Sequence, residues 1–236
     1  MDETLLLTRV CDSLAKEGLS PTCEMTEYIV ACDKYAIGEL SANEFQFSLC
    51  SYLDMCARRS RAISGVIGRI KEPSISEVFT EATMMMIDGV LRSRAFKHLR
   101  LRASSENNLK IENGKYLKPD VAIWNNDKII AVIECKTSLG RSRKEWQRLF
   151  EERVQVLGSI GIKEESILLF VASENSWQGF SKDDPRTLKT WFSLCPKGSW
   201  FGGGKQGEKK LSDKMYEGHL AKLIEQLQNL TNGNVL

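Results

Sequence analysis

Apolar positions along the chain change their spacing near residue 96. Before it they recur three and four apart, the period of a helix with one buried face. After it, runs that alternate or are continuously apolar, as strands are, join the helical spacing. Helical spacing covers residues 3–17, closed by Gly18, and resumes from Ser20-Pro21 to about Tyr35, with Gly38 beyond its end. Proline has no amide hydrogen to leave unpaired at a helix start, and glycine tolerates the left-handed turn after one. Ser41-Ala42-Asn43-Glu44 reads as a capping box opening a helix through roughly Cys56. Ser74-Ile75-Ser76-Glu77 reads as another, opening a helix through about Arg92 whose apolar stripe is Ile75, Val78, Phe79, Ala82, Met86 and Val90.

Residues 96–103 alternate, with Leu99, Leu101 and Ala103 on one side, and predict the first strand. Asn113-Gly114, between residues 109–112 and 115–117, is a strong short hairpin signal. Two apolar runs follow, Lys118 to Trp124 and Ile129 to Lys136, with Asn125-Asn126-Asp127 as the turn between them. Ser142-Arg143-Lys144-Glu145 caps a helix marked by Trp146, Leu149, Phe150, Val154 and Leu157 and ended by Gly158. Ser166 to Ala172 reads as a buried strand. In the tail, Asp184-Pro185-Arg186-Thr187 suggests a short helix through Leu194, and residues 197–205 a glycine-rich loop. Residues 211–230 predict an amphipathic helix that packs on the core, with a dimer contact as the alternative.

A hydrophobic content of 42% can fill one core, and no stretch reaches membrane-spanning length. The start lacks the basic-then-apolar pattern of a signal peptide, and the seven scattered cysteines lack a Cys-x-x-Cys pair. Reduced thiols in a cytoplasmic protein without membrane contact are the expectation. With only His98 and His219, a zinc site or a histidine-based triad has little to build on. Net charge is +2, but residues 1–56 hold 10 acidic and 3 basic side chains, net −7, which leaves +9 on the rest. Such asymmetry suggests a face that meets a polyanion.

The candidate chemistry lies in the paired runs after residue 118. Strand alternation puts Glu134 and Lys136 on one face, and Asp120 at the start of the neighbouring strand can reach them. Two carboxylates beside an ammonium suit a hard divalent cation such as Mg²⁺. Pro119-Asp120 and Glu134-Cys135-Lys136 resemble the motif of the PD-(D/E)xK nuclease superfamily, which includes many type II restriction endonucleases. The predicted order of helix, strand, hairpin, strand, strand, helix and strand over roughly residues 74–173 is also that superfamily's.

The resemblance implies an α/β fold: a restriction-endonuclease-like core with a mixed central sheet flanked by helices, over residues 73–175. A helical subdomain at 1–72 and a C-terminal extension at 176–236 would flank it. It implies a Mg²⁺-dependent endonuclease acting on double-stranded DNA as a homodimer. Asp120, Glu134 and the carbonyl oxygen of Cys135 would be metal ligands, and Lys136 would orient the water or stabilise developing charge. Glu81 on the preceding helix would add a carboxylate, with Glu77 as fallback because the cap already employs it. Arg92, Arg94, Arg100 and Arg102 just before the motif, Arg141, Arg143 and Lys144 just after it, and Lys205 in the glycine-rich loop would contact DNA. A repair or anti-phage nuclease of the same fold, or an inactive nucleic-acid-binding member, are the alternatives.

Overall fold

The computed structural model describes residues 11–16, 25–66, 75–105, 109–110, 116–138, 143–174, 184–196 and 215–232. Its centre is a mixed five-stranded sheet in the order β1-β4-β5-β6-β7: β1 (Leu101–Ser105), β4 (Val121–Asn125), β5 (Lys128–Ser138), β6 (Ile167–Ser173) and β7 (Trp191–Cys195). The first three are antiparallel and the last three parallel. A separate pair, β2 (Leu109–Lys110) and β3 (Tyr116–Leu117), forms the arms of the hairpin expected around Asn113-Gly114, whose turn lies outside the described residues. Helices cover both faces, so the chain is an α/β protein with a mixed sheet flanked by helices. No helix among the described residues is long and apolar enough to cross a membrane.

One face is packed by α1 (Met25–Ile37), α2 (Ala42–Val66), α3 (Ser76–Arg92) and α5 (His219–Asn232). Their apolar stripes share a single cluster with the sheet, running from Tyr28 and Phe45 through Phe79, Ile133 and Phe170 to Leu230. The N-terminal helices and the last helix therefore bury their faces in the same core as the strands. Gly89 lets α1 and α3 approach closely, since a Cβ there would stand 3.0 Å from the Cys32 carbonyl oxygen. The other face is covered by α4 (Arg143–Ser159), with Trp146, Phe150 and Leu157 against Val132, Leu169 and Trp191. The six described cysteines are free thiols.

Several expected elements form as read. The β4–β5 turn has Asn126 at φ 54°, a conformation Asn tolerates better than most residues. The Ser41–Glu44 capping box closes with both the amide and hydroxyl of Ser41 donating to Glu44 at 2.7 Å. Its helix runs ten residues past Cys56, to Val66, so Arg58, Arg59 and Arg61 are helical and Arg58 pairs with Asp54 at 3.0 Å.

Other elements differ. At α3 the cap residue is Ile75, which makes no side-chain cap bond; Ser74, the other half of the expected box with Glu77, lies outside the described residues. The first strand begins at Leu101, because Lys97–Leu99 make a 3-10 turn and Arg100 turns left-handed at φ 53°. Residues 191–195 are a fully buried strand rather than the end of a helix. Short runs buried on both faces lose the alternation that would reveal them. The last helix starts at His219, not near 211. Residues 197–205 lie outside the described residues.

His219 supplies a test of this packing. Its Nδ1 accepts the Ser193 amide at 3.3 Å, and its ring stacks on Tyr216 with centroids 4.4 Å apart. Burial lowers its pKa from 6.5 to about 4. The folded state therefore resists a proton that the unfolded chain accepts, and stability falls as pH drops from about 6.5 towards 4. Since the ring keeps some contact with water, about 2 kcal/mol is the expected loss. Denaturation at pH 7 and 4.5 should show that loss in the parent and a smaller one in His219→Asn.

Candidate metal and nuclease site

The site forms where the β4–β5 ladder stops. Val121 pairs with Ile133 and Ile123 with Ala131, so continued pairing would set Asp120 opposite Glu134 and Pro119 opposite Cys135. Pro119 has no amide hydrogen and cannot continue the ladder. Asp120 replaces it: its Oδ2 accepts the Cys135 amide at 2.7 Å. Residues 134–138 of β5 outrun β4 and, among the described residues, pair only with β6, leaving a notch along one edge. A strand residue's N–H and C=O point to the same side. Since the Cys135 amide is turned towards Asp120, its carbonyl oxygen faces the same notch.

Alternation then sorts the side chains. Cys135 enters the core on the α3 side, away from the Glu134 carboxylate, and burial pushes its thiol pKa well up. Glu134 and Lys136 face the α4 side, and Lys136 is exposed. The Glu134 side chain is 6% exposed and accepts the Arg153 Nε at 2.9 Å. Burial raises the Glu134 carboxyl pKa; Arg153 opposes the rise, Asp120 adds to it, and Lys136 lowers it again. The three sequence-predicted groups, Asp120, Glu134 and Lys136, thus lie close enough to act on one another electrostatically.

Arg153 is the site residue that the sequence reading missed. It also donates to the Lys118 carbonyl oxygen, tying the segment before Asp120 to Glu134. A signal was present. Trp146, Phe150, Arg153 and Leu157 sit four, three and four apart on the core-facing stripe of α4, where an arginine needs a buried acceptor. Leu149, read as part of that stripe, is 51% exposed.

Glu81 does not join this group. It is exposed on α3, which packs through Phe79, Ala82 and Thr83 on the face of the sheet opposite Glu134. Being solvated, it carries none of the burial cost that singled it out. Glu77 is exposed on the same helix. Among the described residues no three His, Cys, Asp or Glu side chains assemble to hold a metal ion. Asp120, Glu134 and the Cys135 carbonyl are nonetheless three hard oxygen donors at one notch. That set fits Mg²⁺, which uses one or two carboxylates and keeps several waters.

The basic residues divide. Arg143 and Lys144 open α4, which follows the C-terminal end of β5. Arg141 and Lys205 lie outside the described residues. Arg92 is bound to Asp33 and Asp88, each at 2.8 Å, and joins α1 to α3. Arg94, Arg100 and Arg102 are exposed, but not beside the carboxylates. Arg102 pairs across the sheet with Trp124 and Leu101 with Asn125, at the end of β4 remote from Asp120. Antiparallel pairing puts residues just before the site in sequence about 13 Å from it along the strand. Set against known proteins, this chain matches no protein-family model, no curated protein and no solved structure.

Proposed function

We propose that this protein is a Mg²⁺-dependent endonuclease that cleaves double-stranded DNA at a short specific sequence, with the restriction-endonuclease-like fold its motif resembles. The observation that carries the reading is the ladder break at Pro119. It gathers the Asp120 and Glu134 carboxylates, the Cys135 carbonyl and the exposed Lys136 ammonium at one open strand edge. A buried carboxylate beside another carboxylate costs stability, and a fold tolerates it where the pair has work to do.

In this reading Asp120, Glu134 and the Cys135 carbonyl hold the ion, which supplies Lewis acidity to the phosphodiester and a more acidic water. Asp120 keeps its carboxylate fixed by the Cys135 amide, so little reorganisation is needed on binding. Lys136, free to move at the notch rim, places its ammonium on a phosphoryl oxygen and offsets the charge that grows there. Arg153 donates to Glu134, opposing the rise that burial puts on its carboxyl pKa, and keeps the Lys118–Asp120 segment against it. The amide groups at the start of α4 favour phosphate on the same side. Two subunits on a palindrome would cut both strands.

One observation favours a second reading. The Glu134–Arg153 pair satisfies the carboxylate without any metal, as in a nucleic-acid-binding protein that does not cut. Incubating the purified protein with phage DNA and Mg²⁺ and sequencing the product ends decides between them. Discrete fragments with one shared end sequence are expected. Intact DNA would support the binding reading, and cutting confined to junctions or ends would point to a repair or defence nuclease.

A further inference from the structure

The end of the sheet remote from Asp120 carries charges that the catalytic reading does not use. Arg94 and Lys97 lie on the tight turn between α3 and β1, where the Phe96 and Lys97 amides both donate to the Ser93 carbonyl at 3.0 Å. Arg100 follows in its left-handed conformation, Arg102 lies on β1, and Lys128 opens β5 opposite Asn125. All five cations are exposed, and Asp127 is the carboxylate in the same β4–β5 turn. Arg58, Arg92, Arg148, Arg153 and Arg186 each hold a carboxylate, whereas Arg94, Arg100 and Arg102 hold none among the described residues. The Arg102 guanidinium lies 4.7 Å above the Trp124 ring, whose Nε1 donates to Ser104 at 2.8 Å. Stacking fixes the guanidinium plane and leaves its edge free to donate.

The register relates this end to the notch. Arg102 and Trp124 are cross-strand partners, and Trp124 packs with Val132 and Ile129 on the α4 face, the face that carries Glu134 and Lys136. Five cations set against the single carboxylate of Asp127 leave a net positive cluster among the described residues, suited to an external anion.

We propose that this basic end of the sheet grips the phosphate backbone of duplex DNA, apart from the Asp120 notch. The inference deepens the nuclease reading and rests on it for the choice of DNA as the polyanion. Four residues of β4 separate the two, about 13 Å, or roughly four steps of 3.4 Å along one DNA strand. The duplex then lies along the β1–β4 margin, held at one end while its scissile phosphate reaches the other. These contacts carry no sequence information and set register alone.

The test is anisotropy of a labelled duplex long enough to cover both ends, in Ca²⁺ in place of Mg²⁺, over a series of salt concentrations. Replacing Arg94, Arg100 and Arg102 together by Ala is expected to flatten the slope of log affinity against log salt by about 2–3 and to weaken binding roughly tenfold or more. The same triple replacement by Gln serves if the Ala form does not fold, and Arg148→Ala, on the outer face of α4, should bind as the parent does. A triple variant with the parent's slope and affinity overturns the anchor, as does a parent that binds duplex without salt dependence. The catalytic assignment is read separately from cleavage by an Asp120 variant. Loss of slope in the triple variant beside undiminished cutting without the Asp120 carboxylate would keep the anchor and refute the site.

Discussion

Asp120→Asn is expected to fold like the parent and to cleave DNA in Mg²⁺ on the order of a thousandfold more slowly. The choice of Asn follows from the two tasks the structure gives this side chain. Asp120 accepts the Cys135 amide at 2.7 Å, so Ala would orphan a strand amide as well as remove a carboxylate. An unmet buried donor costs about 1–3 kcal/mol, which would mix loss of fold with loss of chemistry. Asn keeps an oxygen for that amide and removes only the charge. It also removes the smaller contribution that Asp120 adds to the burial-driven rise of the Glu134 carboxyl pKa. The denaturation midpoint should therefore stay close to the parent's while Mg²⁺-dependent cleavage disappears and duplex binding in Ca²⁺ persists. Lys136→Ala is the companion variant. That side chain is exposed, so its removal should leave stability unchanged and abolish cutting as completely. Parent-like cleavage by Asp120→Asn would refute the assignment.

What the sequence reveals about this site is local. Asn126 makes the turn, the apolar runs on either side make two strands, and alternation alone separates Glu134 and Lys136 from Cys135. Pro119 even marks where the ladder ends. What it hides is long-range. The azimuth of α3 against the sheet is fixed by Phe79, Ala82, Thr83 and Met86 in the core, and that rotation, invisible in residues 74–92 alone, turns Glu81 to water. Arg153 meets Glu134 only because β5 and β6 are parallel and the crossover helix must return antiparallel to them.

The basic stretch illustrates the same limit. Arg94 to Arg102 lie just before the motif in sequence and are expected to contact DNA, but where they stand relative to the carboxylates is not legible there: a strand paired antiparallel carries its start to the far end of its neighbour. The tail misled in a different way. Asp184-Pro185-Arg186 looks like a helix cap, yet Arg186 bonds back to Asp184 at 2.9 Å and lies 3.8 Å over the Trp191 ring. That local ion pair stabilises a turn, and the five apolar or small residues after it complete the sheet as its last strand.

The second large effect is expected at Arg153. Arg153→Met should lower stability by about 2–4 kcal/mol, since it strands a carboxylate whose side chain is 6% exposed. The lower part of the range for broken buried pairs applies because the arginine side chain itself is 25% exposed. The hydrogen bond to the Lys118 carbonyl is lost as well, which loosens the segment that positions Asp120. Glu134→Gln alone should cost less, because a neutral amide still accepts from the guanidinium and needs less solvation. Combining the two should cost clearly less than their sum, since the Glu134→Gln change leaves no buried charge for the missing arginine to balance. Urea denaturation of all four forms closes the cycle. A coupling of about 1–3 kcal/mol would assign the cost to the Glu134–Arg153 pair. Additivity within about 0.5 kcal/mol would mean that Arg153 acts through Lys118 alone, and that Glu134 is stabilised by other groups at the notch.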